Sequence, residues 1–177
     1  GADPEIGEWV YGYDPRVAKI GDKYYVTWCN GYHGPTIGIA WTDDFETFHQ
    51  LENAFIPFNR NGVLFPRKIG GKFAMMPRPK QLVGERYGVK YPSIWLKFSD
   101  DLLAWEDKPS HLLIAGREGT WEEKIGGSTP PILTEAGWLT LYHGVADGGT
   151  AEYRVGALLL DRENPLRVLA RTPEPIL

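Results

Sequence analysis

One strand-turn-strand pattern occurs three times in this chain, and it restricts the possible folds more than any other feature. The stretches Gly21-Asp22-Lys23-Tyr24-Tyr25-Val26-Thr27-Trp28-Cys29, Gly70-Gly71-Lys72-Phe73-Ala74-Met75-Met76-Pro77-Arg78 and Glu135-Ala136-Gly137-Trp138-Leu139-Thr140-Leu141-Tyr142-His143 align without gaps. One column is aromatic each time (Tyr24, Phe73, Trp138), which reads as core rather than as a sugar platform. Another column holds Cys29, Arg78 and His143, as expected of a site grafted onto a repeated scaffold. Repeats of this length mark arrays and propellers.

The repetition extends beyond the hairpin. Thr42-Asp43-Asp44-Phe45-Glu46-Thr47-Phe48 matches Ser99-Asp100-Asp101-Leu102-Leu103-Ala104-Trp105, and Asp161 to Val168 is a looser third copy. Such a turn caps free backbone amides with Asp or Ser and then returns an apolar anchor to the core. Alternating, β-branched or aromatic runs cover Tyr24 to Trp28, Thr36 to Trp41, Ile94 to Phe98, Trp138 to Tyr142 and Tyr153 to Leu160. Gly-Asp, Gly-Gly and Ala-Gly supply the first hairpin turn of each unit.

Each unit thus contains four short strands. The units start at Gly21, Gly70 and Glu135, so they are spaced by 49 and then 65 residues. Propeller blades run to roughly 40–50 residues before insertions, and Lys80 to Lys90 and Gly116 to Glu123 are polar enough to hold the extra length. The expected fold is all-β, a β-propeller of four-stranded antiparallel blades in a single domain over 1–177. About three blades are present, near 11–50, 60–113 and 124–177. A β-sandwich also has many short strands, but not a four-strand period with matched turns. Propellers close with about four blades or more. Three therefore require further chain, the preferred expectation, or a second copy in a homo-oligomer.

Composition narrows the function classes. The net charge of −4 gives no case for nucleic acid or an anionic membrane as partner. A single cysteine excludes an intrachain disulfide and any multi-cysteine zinc site. Runs such as Ala157-Leu158-Leu159-Leu160 are too short to span a bilayer. No basic-then-apolar leader opens the chain, so a cytoplasmic location is expected. No ligand cluster suggests a metal.

In a propeller the first strand of each blade lines the central channel. Asp14, the pair Arg60-Asn61, and Lys124 fall there, joined by Arg78 and His143 from the second strands. One carboxylate facing two arginines, a lysine and a histidine suits a tetrahedral dianion bound beside one proton donor. Glycoside hydrolysis ordinarily uses two carboxylates. Where inorganic phosphate is the nucleophile, the second becomes unnecessary and would repel the anion. Each residue also has a plainer reading. Asp14 before proline is a turn residue, Arg60-Asn61-Gly62 a turn, Arg78 a surface arginine and His143 a satisfied core histidine. Lys124, following Glu122-Glu123, is one end of a solvated charge run, and Cys29 is a small buried apolar residue.

These residues carry a resemblance. Tyr13-Asp14-Pro15-Arg16-Val17, Trp28 to Thr36 and Phe58 to Pro66, with Leu141-Tyr142-His143-Gly144-Val145 and Val155 to Asp161, resemble the β-mannoside phosphorylases of glycoside hydrolase family 130. The similarity runs from about Tyr11 to the end and is nearest to the 4-O-β-D-mannosyl-D-glucose phosphorylase branch. It implies a five-bladed propeller and inverting phosphorolysis of β-1,4-mannosides, such as mannosyl-glucose, to α-mannose 1-phosphate. Inorganic phosphate is then a co-substrate, and no other cofactor is implied. Asp14 would be the general acid, acting through a sugar hydroxyl. Arg60, Arg78, Lys124 and His143 would hold phosphate with Tyr153 as a further contact, while Asn61 and Arg60 would meet the sugar or phosphate. His33 is a weaker candidate for the sugar. The chain departs from the family's usual Lys-Ile-Gly-Ala-Gly-Pro-Pro at Lys124-Ile125-Gly126-Gly127-Ser128-Thr129-Pro130-Pro131. A β-mannoside hydrolase on the same fold would lack these basic residues, and a non-catalytic carbohydrate-binding propeller fragment is the third alternative.

Overall fold

A computed structural model describes residues 12–31, 34–103, 105–146 and 151–177; His33 lies outside them. The described chain forms three antiparallel sheets in sequence order. The first contains β1 (Gly12–Ile20), β2 (Lys23–Asn30), β3 (Thr36–Thr42) and β4 (His49–Gln50), hydrogen-bonded in that order. The second repeats the meander with β5 (Asn59–Leu64), β6 (Phe73–Pro79), β7 (Ile94–Ser99) and β8 (His111–Ile114). The third has five segments: β9 (Lys124–Gly127), β10 (Ile132–Thr134), β11 (Gly137–Val145), β12 (Arg154–Leu160) and β13 (Val168–Arg171). Both β9 and β10 pair with β11, at its far and near ends, so together they act as one interrupted first strand. This is the expected propeller-like all-β architecture. The two extra-length segments fall between β6 and β7, around a 3-10 turn at Glu85–Tyr87, and between β8 and β9.

The sheets stack face to face, and the middle sheet shows why its strands are apolar without alternation. Val63 and Met76 point into a core shared with Ile125, Trp138, Tyr142, Leu158 and Leu160 of the third sheet. Their neighbours Leu64 and Met75 point the other way, to Ala18, Ile37 and Ile39 of the first. Successive strand residues face opposite sides, so a sheet buried on both faces needs a continuous apolar run. Truncating Met75 or Met76 to Ala would cost roughly 2–5 kcal/mol. The outer sheets are less evenly covered. Their far faces leave Val17 at 44%, Leu139 at 38% and Ile132 at 62% exposure.

Turn chemistry recurs as anticipated, with shifts in detail. The Asp44 carboxylate accepts the Glu46 and Thr47 amides at 2.8 Å, Asp101 accepts Leu103 at 2.9 Å, and Asp161 accepts Glu163 and Asn164 at 3.0 Å. The third hairpin loop is Glu135-Ala136, not Ala-Gly, because Thr134 pairs with Gly137. Gly137 is required in the strand itself, where a Cβ would lie 2.2 Å from the Leu160 carbonyl oxygen. The aromatic column is only partly core. Trp138 is fully buried and Phe73 packs against the core, whereas Tyr24 lies outside it against Phe45, with ring centroids 4.6 Å apart.

Candidate active site

The repeated column converges on one cavity because the three first strands break within one residue of the same register. In β1 the pairing runs Tyr13 with Cys29, then Arg16 with Thr27, so Asp14 and Pro15 share one partner position. In β5 it runs Arg60 with Arg78, then Val63 with Met76, leaving Asn61 and Gly62 in the equivalent bulge. In β9 Gly126 pairs with His143 and Gly127 with Tyr142 before the chain leaves the ladder at Ser128. Cys29, Arg78 and His143 are therefore equivalent positions, opposite Tyr13, Arg60 and Gly126. A bulge bends the strand and re-aims a side chain. Its first residue has φ 55 at both Asp14 and Asn61, a left-handed conformation that Asp and Asn adopt more readily than other non-glycine residues.

A cavity of about 580 Å³ lies at these breaks. Asp14, Arg60, Asn61, Arg78, His143 and Tyr153 line it, all six anticipated from the sequence. Lys124 does not line the cavity, yet it lies close enough to act electrostatically on His143 and Lys80. Nor is Lys124 the end of a solvated charge run. Glu122 is fully buried with Arg171 Nη2 at 2.7 Å and Arg117 Nη1 at 3.0 Å, and Glu123 accepts the Gly119 amide at 2.7 Å. Cys29 is buried, as its plainer reading held.

Three residues beyond those anticipated belong to the site. Arg16 reaches from the first sheet to the third: Nε donates to the Ser128 carbonyl at 2.8 Å and Nη2 to the Gly127 carbonyl at 3.3 Å. Its Nη1 donates to the Asp14 carbonyl at 2.7 Å, and Nη2 stands 3.8 Å from the Asp14 carboxylate. Ser128 lines the cavity, with Oγ 3.2 Å from His143 Nδ1. Lys80, just after β6, is held below its ordinary pKa by partial burial and by Arg60, Arg78 and Lys124. Arg16 follows the acid in the Tyr-Asp-Pro-Arg motif, and that adjacency was the available signal. Nothing local marks Ser128 or Lys80.

The site is strongly cationic. Burial, with the Arg60 and Arg16 guanidinium groups, pushes Arg78 down to about 10, so it remains charged at neutral pH. Arg78 is 8% exposed, and its Nε has no hydrogen-bond partner; the same is true of Asn61 Oδ1. A buried polar atom left unmatched costs about 1–3 kcal/mol. Burial, then Arg78, Arg16 and Lys124, push His143 down to about 4, which leaves the ring neutral at pH 7. Among the described residues Asp14 is the one carboxylate lining the cavity, and its side chain is half exposed.

The family model for beta-1,4-mannooligosaccharide phosphorylase, glycoside hydrolase family 130, matches residues 3–177. The chain belongs to glycoside hydrolase family 130. It is 46% identical over 176 residues to the "Beta-1,4-mannooligosaccharide phosphorylase" of Ruminococcus albus, covering 98% of this chain and 50% of that one. The solved β-1,2-mannobiose phosphorylase of Listeria innocua, in complex with β-1,2-mannobiose, superposes with a TM-score of 0.83 at 36% identity. That match covers 94% of this chain and 45% of the other. The chain thus spans about half the length of these family 130 relatives. Identity to the 4-O-β-D-mannosyl-D-glucose phosphorylase of Bacteroides fragilis is 29% over 174 residues, 92% of this chain and 41% of that one. The mannosyl-glucose branch suggested by the motifs is therefore a more distant relation than the mannooligosaccharide phosphorylase.

Proposed function

We propose that the protein is an inverting β-mannoside phosphorylase, for which this chain supplies the phosphate site and the general acid. The observation that carries this reading is the buried Arg78, its Nε unpartnered, in a cavity whose described lining has several cations and one carboxylate. An oxygen of a phosphate dianion accepts from that Nε, Arg60 and His143 meet the remaining oxygens, and Lys124 adds positive charge from outside the cavity lining. Charge-assisted bonds of this kind are roughly twice as strong as neutral ones. A phosphate oxygen then attacks the anomeric carbon as the bond to the leaving sugar breaks on the opposite face. The Asp14 proton passes to the departing oxygen, giving α-mannose 1-phosphate and a shortened acceptor. Held by Arg16 through its carbonyl and carboxylate, Asp14 is oriented for that transfer. A second carboxylate is not needed, because the nucleophile arrives already charged.

For linkage we propose β-1,4-mannosides, supported by the 46% identity to a relative named for β-1,4-mannooligosaccharides. The test is release of mannose 1-phosphate from β-1,4-mannobiose, mannosyl-glucose and β-1,2-mannobiose, each with and without phosphate. Phosphate-dependent release from the β-1,4 substrates is expected, with Asp14→Asn losing at least a hundredfold in kcat. Turnover that ignores phosphate overturns the phosphorylase reading, and preference for β-1,2-mannobiose overturns the linkage.

A further inference from the structure

Ser128 occupies the point where β9 leaves the ladder, and its surroundings are fixed from two directions. From the first sheet, Arg16 grips the Gly127 and Ser128 carbonyls. From the other side, the Ser128 amide donates to the Leu141 carbonyl at 3.1 Å. Its hydroxyl lies 3.2 Å from Nδ1 of His143. The opposite edge of that ring has a different neighbour. A Cβ on Gly126 would lie 2.8 Å from His143 Cε1 and Nε2 and 3.0 Å from Arg78 Nη1. Nε2 and the Arg78 guanidinium therefore flank the same bare glycine.

A neutral imidazole carries one ring proton, and the hydrogen bond at one nitrogen decides which nitrogen holds it. Among the described residues, the charged groups acting on His143 are Arg78, Arg16 and Lys124, all donors. A serine hydroxyl can donate or accept. If it accepts from Nδ1–H, Nε2 presents a lone pair toward the cavity and repels an anion there. If it donates, Nε2–H becomes a second donor beside Arg78. We propose that Ser128 is a positioning residue whose hydroxyl donates to His143 Nδ1, so that Nε2–H is available to a bound phosphate oxygen. This deepens the phosphorylase reading and rests on it for the identity of the anion. It adds a role for a residue that acts on phosphate through His143.

The experiment is ¹⁵N spectroscopy of the imidazole side chains at pH 7, without and then with inorganic phosphate. His143→Gln identifies the resonances. In the protein without phosphate, the proposal expects His143 Nδ1 at the shift of an unprotonated nitrogen and Nε2 at that of a protonated one. Phosphate then moves Nε2 more than Nδ1. Ser128→Ala mixes the tautomers and weakens phosphate binding roughly tenfold, a scale set by hydrogen bonds to charged groups, and Ser128→Thr restores both. A protonated Nδ1 before phosphate is added overturns the proposal without any variant. So does Ser128→Ala with an unchanged tautomer and unchanged phosphate affinity. Failure of wild-type protein to bind phosphate counts instead against the phosphorylase reading, since the tautomer is read before phosphate is added.

Discussion

Arg78 combines two properties that rarely coexist in a side chain kept only for stability. It is almost fully buried, and one of its donors is unmatched. Removing a buried, incompletely paired charge is often neutral or stabilising when a side chain of similar volume replaces it. Arg78→Met is therefore expected to keep or raise the melting temperature while abolishing phosphate binding, measured by calorimetry and by titration with inorganic phosphate. A lower melting temperature together with intact binding would place Arg78 in the scaffold instead. His143 makes the complementary prediction through pH. Its folded pKa of about 4 lies below the ordinary 6.5, so between those values the unfolded chain binds more protons than the folded one. Stability then rises with pH across that window, and the contribution is fully present above 6.5 and lost as pH falls through 4. The shift corresponds to about 3 kcal/mol. Urea unfolding at pH 7 and pH 4.5 should show a smaller loss for His143→Gln than for wild type; equal losses would contradict the buried neutral ring.

At the scale of elements, the site depends on three first strands interrupted within one residue of the same register. Two interruptions are bulges with a left-handed residue, and the third is a glycine pair followed by a departure from the sheet. Gly126 is the position where a side chain cannot be accommodated without moving the site. Gly126→Ala forces the ends of His143 and Arg78 outward, since its Cβ would sit at 3.0 Å or less from both. Both neighbours are flexible side-chain tips, so the fold should survive with a melting temperature within a few degrees of wild type. Phosphate affinity should fall by more than tenfold, as titration of the variant would measure; unchanged affinity would remove Gly126 from the site. The strands, the Asp-capped turns and the equivalence of Cys29, Arg78 and His143 were legible in the sequence because each depends on local alternation and register. Arg16 was not legible as a bracket, because its acceptor lies 112 residues away on another sheet. The burial of Glu122 was not legible for the same reason: its partner Arg171 approaches from the last strand. Side-chain reach between sheets leaves no periodic trace in a sequence.

Two arginine ties join the three sheets. At the cavity, Arg16 of β1 spans to the end of β9 and joins the first sheet to the third. Away from it, Arg171 of β13 joins the third sheet to the second. Its Nη1 donates to the Ala115 carbonyl just beyond β8 at 2.9 Å, and its Nη2 to the buried Glu122 carboxylate at 2.7 Å. The Tyr142 hydroxyl donates to the same carboxylate, and Trp121 stacks on Tyr142 with centroids 5.8 Å apart. Breaking a buried ion pair by removing one partner typically costs about 3–5 kcal/mol, because the other charge is stranded. Arg117, with a side chain 41% exposed, compensates Glu122 only from the rim. Arg171→Met should therefore destabilise the protein by roughly 3–5 kcal/mol in urea unfolding. The double variant with Glu122→Leu should lose clearly less than the sum of the two single losses, since it strands no charge. Phosphate affinity of the folded Arg171→Met protein should stay within about twofold of wild type, because Arg171 does not line the cavity. Additive losses would mean that the outer tie is held by packing of Trp121 and Tyr142 and not by the ion pair. A fall in phosphate affinity as large as that expected of Gly126→Ala would mean that the outer tie also sets the spacing of the inner strands.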